Sequence, residues 1–188
     1  MEYFKKELEL IQDEEVREQT KKVLERVNQE FFHAAASSTG KYHPSYALGD
    51  GGLYRHTQAA VGIAKCLMDL DMFDYFTPVE RDYIIAALIL HDSCKSGIDW
   101  DSKYTKHEHP ILAQQLIDET LGNCEFTVVV GALVASHMGQ WNRNFRSRTV
   151  LPVPETDAAK LVHVADYLAS RKFLEYVFEN EEEMKGIL

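Results

Sequence analysis

Apolar residues along most of this chain recur at the steps of an α-helix. Between residues 2 and 32 they fall at Phe4, Leu8, Ile11, Val16, Val23, Leu24, Val27 and Phe31, set among charged neighbours. Steps of three, four, five or seven predict one long charged helix. Residues 33–53 gather Gly, Ser and Pro and read as a loop. A helix is expected from Tyr54 to Asp71. Thr77-Pro78-Val79-Glu80 is a capping box with Pro at the first helical position, which predicts a helix running to His91. His109-Pro110 opens another, to Leu121. The stretch FTVVVGALVASH (126–137) is β-branched enough to pass for a strand, but its length, its neighbours and Gly139 just beyond it favour a buried helix. Pro152 and Pro154 close a loop, and Glu155 or Thr156 opens a last helix through Phe178. There is no repeat and no convincing strand pair. The expectation is an all-α bundle of six or seven helices.

Length and charge narrow the picture. At 188 residues and 45% hydrophobic content, one domain with a real core is expected, divided into an N-terminal helix (1–32), a core (33–172) and an acidic C-terminal helix or tail (173–188). No apolar run approaches the ~18 residues that would cross a membrane, and the N-terminus is charged from the start, so a cytoplasmic protein is expected. Cys66, Cys94 and Cys124 have no C-x-x-C spacing and read as reduced thiols. The net charge of −10 disfavours binding to long nucleic acid, which rests on summed contacts from Lys and Arg. One segment runs against that balance. GQWNRNFRSRT (139–149) holds three arginines and no acid. An acidic body with a local basic loop suits a small phosphorylated substrate.

The chemistry lies in six side chains: His56, the doublet His91-Asp92, His109, His137 and Asp166. Each stands at or near the end of a segment that reads as helix. Imidazole and carboxylate without thiolate form a ligand set for a divalent metal that does hydrolytic chemistry. Neighbours in a helix point about 100° apart, so His91 and Asp92 face one ion together only where the backbone turns. The apolar run IIAALIL before the doublet and SCKSG after it mark such a turn. A carboxylate buried beside an imidazole is costly without a counter-charge, and a divalent cation supplies it.

Four phrases in order carry a resemblance: GGLYRHT (51–57), LILHDSCK (88–95), SHMGQW (136–141) and LVHVADYLASR (161–171). Over roughly residues 32–172 the chain resembles the HD-domain superfamily of metal-dependent phosphohydrolases. The resemblance implies an antiparallel helical core with metal held between helices. His109, in a phrase HP-I-L-A-Q-Q-L, and His137 are similar to the two additional histidines of the binuclear branch. By this resemblance His56, His91, Asp92 and Asp166 serve one ion, and Asp92, His109 and His137 serve a second. His107 competes with His109 for that place. Two divalent ions drawn from Fe, Mn, Zn, Ni or Co are implied, and they would activate a water for phosphoester hydrolysis.

Around this set, Lys95 could act on the nonbridging phosphoryl oxygens, with Asp92 as the central catalytic carboxylate. Arg143, Arg146 and Arg148 could hold further phosphates, and Trp141 could stack on a base. The segment AAASSTGKYHPSY (34–46) resembles one that precedes the first ligand in other HD proteins, which would turn Lys41 and His43 toward the pocket. His163, three residues before Asp166 on the same helix face, could support a ligand from behind, but reads more readily as a packed histidine.

The expected function is hydrolysis of a phosphoester or phosphoanhydride of a nucleotide or related small compound. The rivals are a 3′–5′ exonuclease-like phosphodiesterase and a non-catalytic nucleotide-binding HD module. The long N-terminal helix could pair with a copy of itself in a homodimer.

Overall fold

The computed structural model describes residues 3–37 and 40–173. Among these, eight α-helices follow one another with no strand: α1 Lys5–Glu9, α2 Glu14–Leu24, α3 Glu30–His33, α4 Gly52–Met68, α5 Pro78–Leu90, α6 His109–Leu121, α7 Glu125–Ser136 and α8 Asp157–Ala169. Single 3-10 turns stand at Ser45–Ala47, Asp71–Phe73 and Gly139–Trp141. The all-α class is as expected from the sequence. The helix count is higher because the N-terminal segment is not one helix.

That segment breaks twice, for local reasons. Asp13 caps α2, its carboxylate accepting from the backbone N–H of Glu15 and Val16 at 2.8 and 3.0 Å. The buried Asp82 carboxylate on α5 accepts from the N–H of Gln12 and Asp13 at 3.0 and 2.8 Å, pinning the turn against the core. Asn28 makes the second break by accepting from Glu30 N–H at 3.0 Å. The apolar residues meant to line one long face instead fold back, with Phe4, Ile11, Val23 and Phe31 fully buried. The single helix on which pairing of two copies was expected is therefore absent. The last helix was expected to run through Phe178 but ends at Ala169, where the Ser170 N–H closes on the carbonyls of Asp166 and Tyr167 and residues 170–173 leave the helix. The rest of that stretch, and the acidic tail beyond residue 173, lie outside the described residues.

α5 is the centre. Its residues from Tyr83 through Leu90 are all buried, with α2, α4, α7 and α8 packed around it. An apolar helix of this kind belongs inside. The capping box at its start is present as expected, Thr77 accepting from Glu80 N–H while the Glu80 carboxylate accepts from Thr77 N–H. Leu88, Ile89 and Leu90 are 0% exposed, and burial of each contributes about 1.5–3 kcal/mol. The end of α5, where His91 and Asp92 stand, is thereby held rigidly. α7, which could have passed for a strand, is helical from Glu125 to Ser136. No helix among the described residues is long and apolar enough to cross a membrane.

Candidate metal centre

The structure brings all six predicted residues together from five elements. His56 comes from the second turn of α4, and His91 and Asp92 from the end of α5. His109 is the first residue of α6, His137 caps the end of α7, and Asp166 lies on α8. Four of the six are at most 1–2% exposed: His56, Asp92, His109 and His137; His91 is fully buried. Two groups form around one carboxylate, His56–His91–Asp92 and Asp92–His109–His137.

Asp92 divides its oxygens between them. Oδ2 lies 3.5 Å from His91 Nε2 and 3.9 Å from His56 Nε2. Oδ1 lies 3.1 Å from His109 Nε2 and 3.9 Å from His137 Nε2. Asp166 joins the first group, its Oδ1 3.0 Å from His56 Nε2 and 3.5 Å from His91 Nε2. Donors around a cation with bonds near 2.1 Å stand about 3.0–3.5 Å apart in tetrahedral or octahedral arrangements. Most of these separations match that edge length.

The ring orientations are fixed by the backbone. Nδ1–H of His91, His109 and His137 donates to the carbonyl three residues earlier, of Leu88, Lys106 and Val134, at 2.6, 2.7 and 2.7 Å. Each bond turns the Nε2 lone pair inward and enforces the tautomer that binds metal. His109 Nε2 and His137 Nε2 then lie 3.2 Å apart, and two such lone pairs repel unless a cation or proton sits between them. Buried His91 Nε2 has no hydrogen-bond partner.

Charge tells the same story. Burial pushes the His91 imidazole down, but Asp92 and Asp166 outweigh it and hold it up at about 10. Burial pushes Asp92 up, yet Lys95 and His91 hold it well below the usual carboxylate range. Asp166 is likewise pushed up by burial and held well below the usual carboxylate range by its hydrogen bond with His56 and by the neighbouring His91 imidazole. Burial, helped by the His91 and His109 charges, brings His137 down to about 3. Two carboxylates held in their ionised form inside a ring of buried imidazoles demand positive charge at this spot. The donor set therefore fits divalent cations.

The remaining predicted residues divide. Lys95 Nζ bonds to Asp92 Oδ2 at the rim. His43 reaches the cluster, its ring 5.7 Å from that of His56 and its buried Nδ1 unpartnered. Burial first, then the neighbouring His56 and Lys95, lower it to about 3. Lys41 is exposed, with Nζ 5.1 Å above the Tyr42 ring. Arg143, Arg146 and Arg148 are all exposed, on a loop fastened to the start of α6 by a Ser147–Glu108 hydrogen bond and by His107 Nε2 to Thr149 O at 3.2 Å. His107 thus serves the loop, and His109 enters the cluster. His33 pairs at the surface with Asp50 at 3.3 Å.

The glycines of GGLYRHT are explained by contact. A Cβ on Gly52 would lie 2.4 Å from Ala47 O, so only glycine lets the loop carrying His43 lie against α4. Arg55 of the same phrase reaches back to bond Tyr46 O at 2.6 Å and Leu48 O at 3.0 Å. His163 does more than pack. Its Nδ1 bonds the His137 carbonyl at 2.8 Å, and its ring fills the space where a Cβ on Gly139 would fall. Sequence reasoning missed Tyr42, Tyr167 and Arg171; the Arg171 guanidinium lies over the rings of Tyr42, Tyr167 and Trp141. The available signal was their place in the chain: Tyr42 precedes His43 and Tyr167 follows Asp166.

A family profile described as HD domain matches residues 53–171. The chain is also 31% identical over 190 aligned positions to dihydroneopterin 2′,3′-cyclic phosphate phosphodiesterase of Methanocaldococcus jannaschii, covering 91% of this chain and 69% of that protein. No solved structure matches the chain.

Proposed function

The chain belongs to the HD-domain family, and from that premise we propose that it opens a small phosphodiester carrying a heterocycle, such as a nucleoside 2′,3′-cyclic phosphate. Membership and the buried His/Asp clusters make it a metal-dependent phosphohydrolase. The finer reading draws on the similar protein that is a 2′,3′-cyclic phosphate phosphodiesterase. One observation supports it above the others: the two oxygens of Asp92 face different groups of imidazoles. His56, His91, Asp92 and Asp166 would hold one cation, and Asp92, His109 and His137 a second. When bound, divalent cations supply Lewis acidity, so that water attacks phosphorus near neutral pH and phosphoryl charge is screened.

The chain's own groups do the rest. Backbone carbonyls of Leu88, Lys106 and Val134 hold three imidazoles in the metal-binding tautomer. Lys95 Nζ stands at the rim beside Asp92, within reach of nonbridging phosphoryl oxygens that gather charge in the transition state. His43 offers an unpartnered buried Nδ1 to the oxygen that leaves phosphorus. Water adds to phosphorus, one ring P–O ester bond breaks, and the released oxygen takes a proton to give a monoester and a free hydroxyl. The net charge of −10 favours such a small substrate over a polymer.

The test is purified protein supplied in turn with Mn, Fe, Co, Ni or Zn. Each form is assayed on nucleoside 2′,3′-cyclic phosphates, nucleoside triphosphates and a short oligoribonucleotide. Ring opening that is abolished by a chelator and by Asp92→Ala is expected. Hydrolysis of triphosphates alone, stepwise shortening of the oligonucleotide alone, or tight binding without turnover would each overturn the reading.

A further inference from the structure

Beside the metal centre, three chain segments that are far apart in sequence each bring one aromatic ring to the same place. Tyr42 precedes His43, Tyr167 follows Asp166, and Trp141 ends the 3-10 turn that begins two residues after His137. Trp141 and Tyr167 are stacked, with ring centroids 5.3 Å apart and planes 21° from parallel. The Arg171 guanidinium lies among all three rings, 4.3 Å from the centroid of Tyr167, 5.5 Å from Trp141 and 6.0 Å from Tyr42. Trp141 and Tyr42 remain 40% and 56% exposed, so each still presents ring surface to solvent, although Lys41 Nζ also lies 5.1 Å over the Tyr42 ring. The group is fastened to the catalytic residues: the Trp141 ring lies 5.9 Å from that of His163, which holds the His137 carbonyl.

Arg171 spends little of its hydrogen-bonding capacity. Its Nε donates to Tyr167 O at 3.4 Å and Ser170 Oγ at 3.2 Å. Its two terminal amino groups have no hydrogen-bond partner among the described residues. Aromatic contact on the face of a guanidinium leaves its edge free, and that edge is a rigid fork of donors.

We infer that Tyr42, Trp141, Tyr167 and Arg171 form the subsite for the heterocycle of the substrate, with Arg171 selecting a bicyclic ring that carries a carbonyl oxygen beside a ring nitrogen. The inference rests on the phosphodiesterase reading and supplies its substrate class. Tryptophan surface exposed to solvent takes a planar ring by stacking. The fork adds discrimination. Two parallel N–H groups match a carbonyl oxygen and an adjacent unprotonated ring nitrogen, the pair that guanine presents with O6 and N7. Oxopteridines present a similar pair. Adenine puts an amino donor where the carbonyl would be, and an all-donor guanidinium cannot pair with both of its positions. Cytosine and uracil lack the second ring and overlap the tryptophan less.

The metal-supplied protein is assayed on guanosine, adenosine and cytidine 2′,3′-cyclic phosphates and on bis(p-nitrophenyl) phosphate, which has no heterocycle. The same nucleosides, without phosphate, are titrated against metal-free protein by quenching of tryptophan fluorescence. The guanosine substrate should lead the adenosine one by about 10-fold or more in kcat/KM, and guanosine should bind tighter than adenosine. Arg171→Lys, which keeps the charge and loses the fork, should bring the guanosine-to-adenosine ratio to about one. Trp141→Ala should raise KM for all three nucleotides by about 10–100-fold, well beyond its effect on bis(p-nitrophenyl) phosphate. If the wild type hydrolyses none of the four, the phosphodiesterase reading fails and nucleoside binding decides the subsite separately. If it hydrolyses them without preferring guanosine, or Arg171→Lys lowers guanosine and adenosine substrates equally, the subsite assignment is wrong.

Discussion

Replacing Gly52 by alanine should damage catalysis through a residue that has no side chain and is not itself among the candidate ligands. A Cβ there would stand 2.4 Å from the Ala47 carbonyl oxygen and 2.6 Å from its carbon, against about 3.4 Å for ordinary contact. Ala47 must retreat by roughly 1 Å, and it is backbone, with no flexible end to swing aside. The same oxygen accepts from Ala36 N–H at 3.0 Å. Its neighbour Tyr46 is tied on both sides, by Arg55 at 2.6 Å and by its own hydroxyl to Ala169 O at 2.8 Å. Overpacking of about 1–3 kcal/mol plus one weakened hydrogen bond of about 1 kcal/mol gives roughly 2–4 kcal/mol. For a chain of this size that is a fall in Tm of about 5–15 °C. The loop that moves carries His43, so turnover should drop while the helix-borne metal ligands stay in place. Thermal unfolding by circular dichroism, metal content and kcat on one preparation test this together. A Tm within about 1 °C of wild type and unchanged turnover would refute the argument.

Other perturbations separate the roles of single groups. Lys95→Gln should lower kcat/KM by about 10–100-fold, mostly in kcat, as expected for a charged hydrogen bond worth about 1.5–3 kcal/mol in the transition state; steady-state kinetics measure it. Neutralising Arg143, Arg146 and Arg148 together should weaken substrate capture about 3–10-fold at low salt and far less at high salt, because these exposed charges act through solvent; kcat/KM against ionic strength checks this. Burial pushes the Cys94 thiol up to about 11 and leaves it 1% exposed, whereas Cys66 is exposed. A thiol reagent near pH 8 should therefore label Cys66 readily and Cys94 only after unfolding, as read by mass spectrometry.

Most of the bundle was legible because its signals are local. The capping box at Thr77, Pro110 after His109 and the apolar run of α5 each state an element boundary in a few residues. The N-terminal segment misled because Asp13 and Asn28 can sit on a helix face or end one. The choice fell to Asp82, sixty-nine residues from Asp13, which no periodicity reveals. A five-residue step from Ile11 to Val16 was the local trace of the break. In the site, the six His/Asp positions were readable because each stands in a distinctive phrase. For His163 the sequence favoured packing over support of a ligand, since its partner is a backbone carbonyl on another element. Trp141 was legible as a stacking platform, but its partners Tyr42, Tyr167 and Arg171 were not, for the same reason. Nothing in single residue types says that rings 125 positions apart, such as Tyr42 and Tyr167, share one guanidinium.

Whether the Asp92 carboxylate serves two cations is tested directly by metal stoichiometry. Wild-type protein and the His109→Ala and His137→Ala variants are saturated with one metal, freed of excess and measured by elemental analysis, with circular dichroism on the same samples. Two equivalents per chain in the wild type are predicted, about one in each histidine variant, and helicity nearly intact in all three. A wild type fixed at one equivalent, with both variants still holding that one, would contradict the shared role of Asp92.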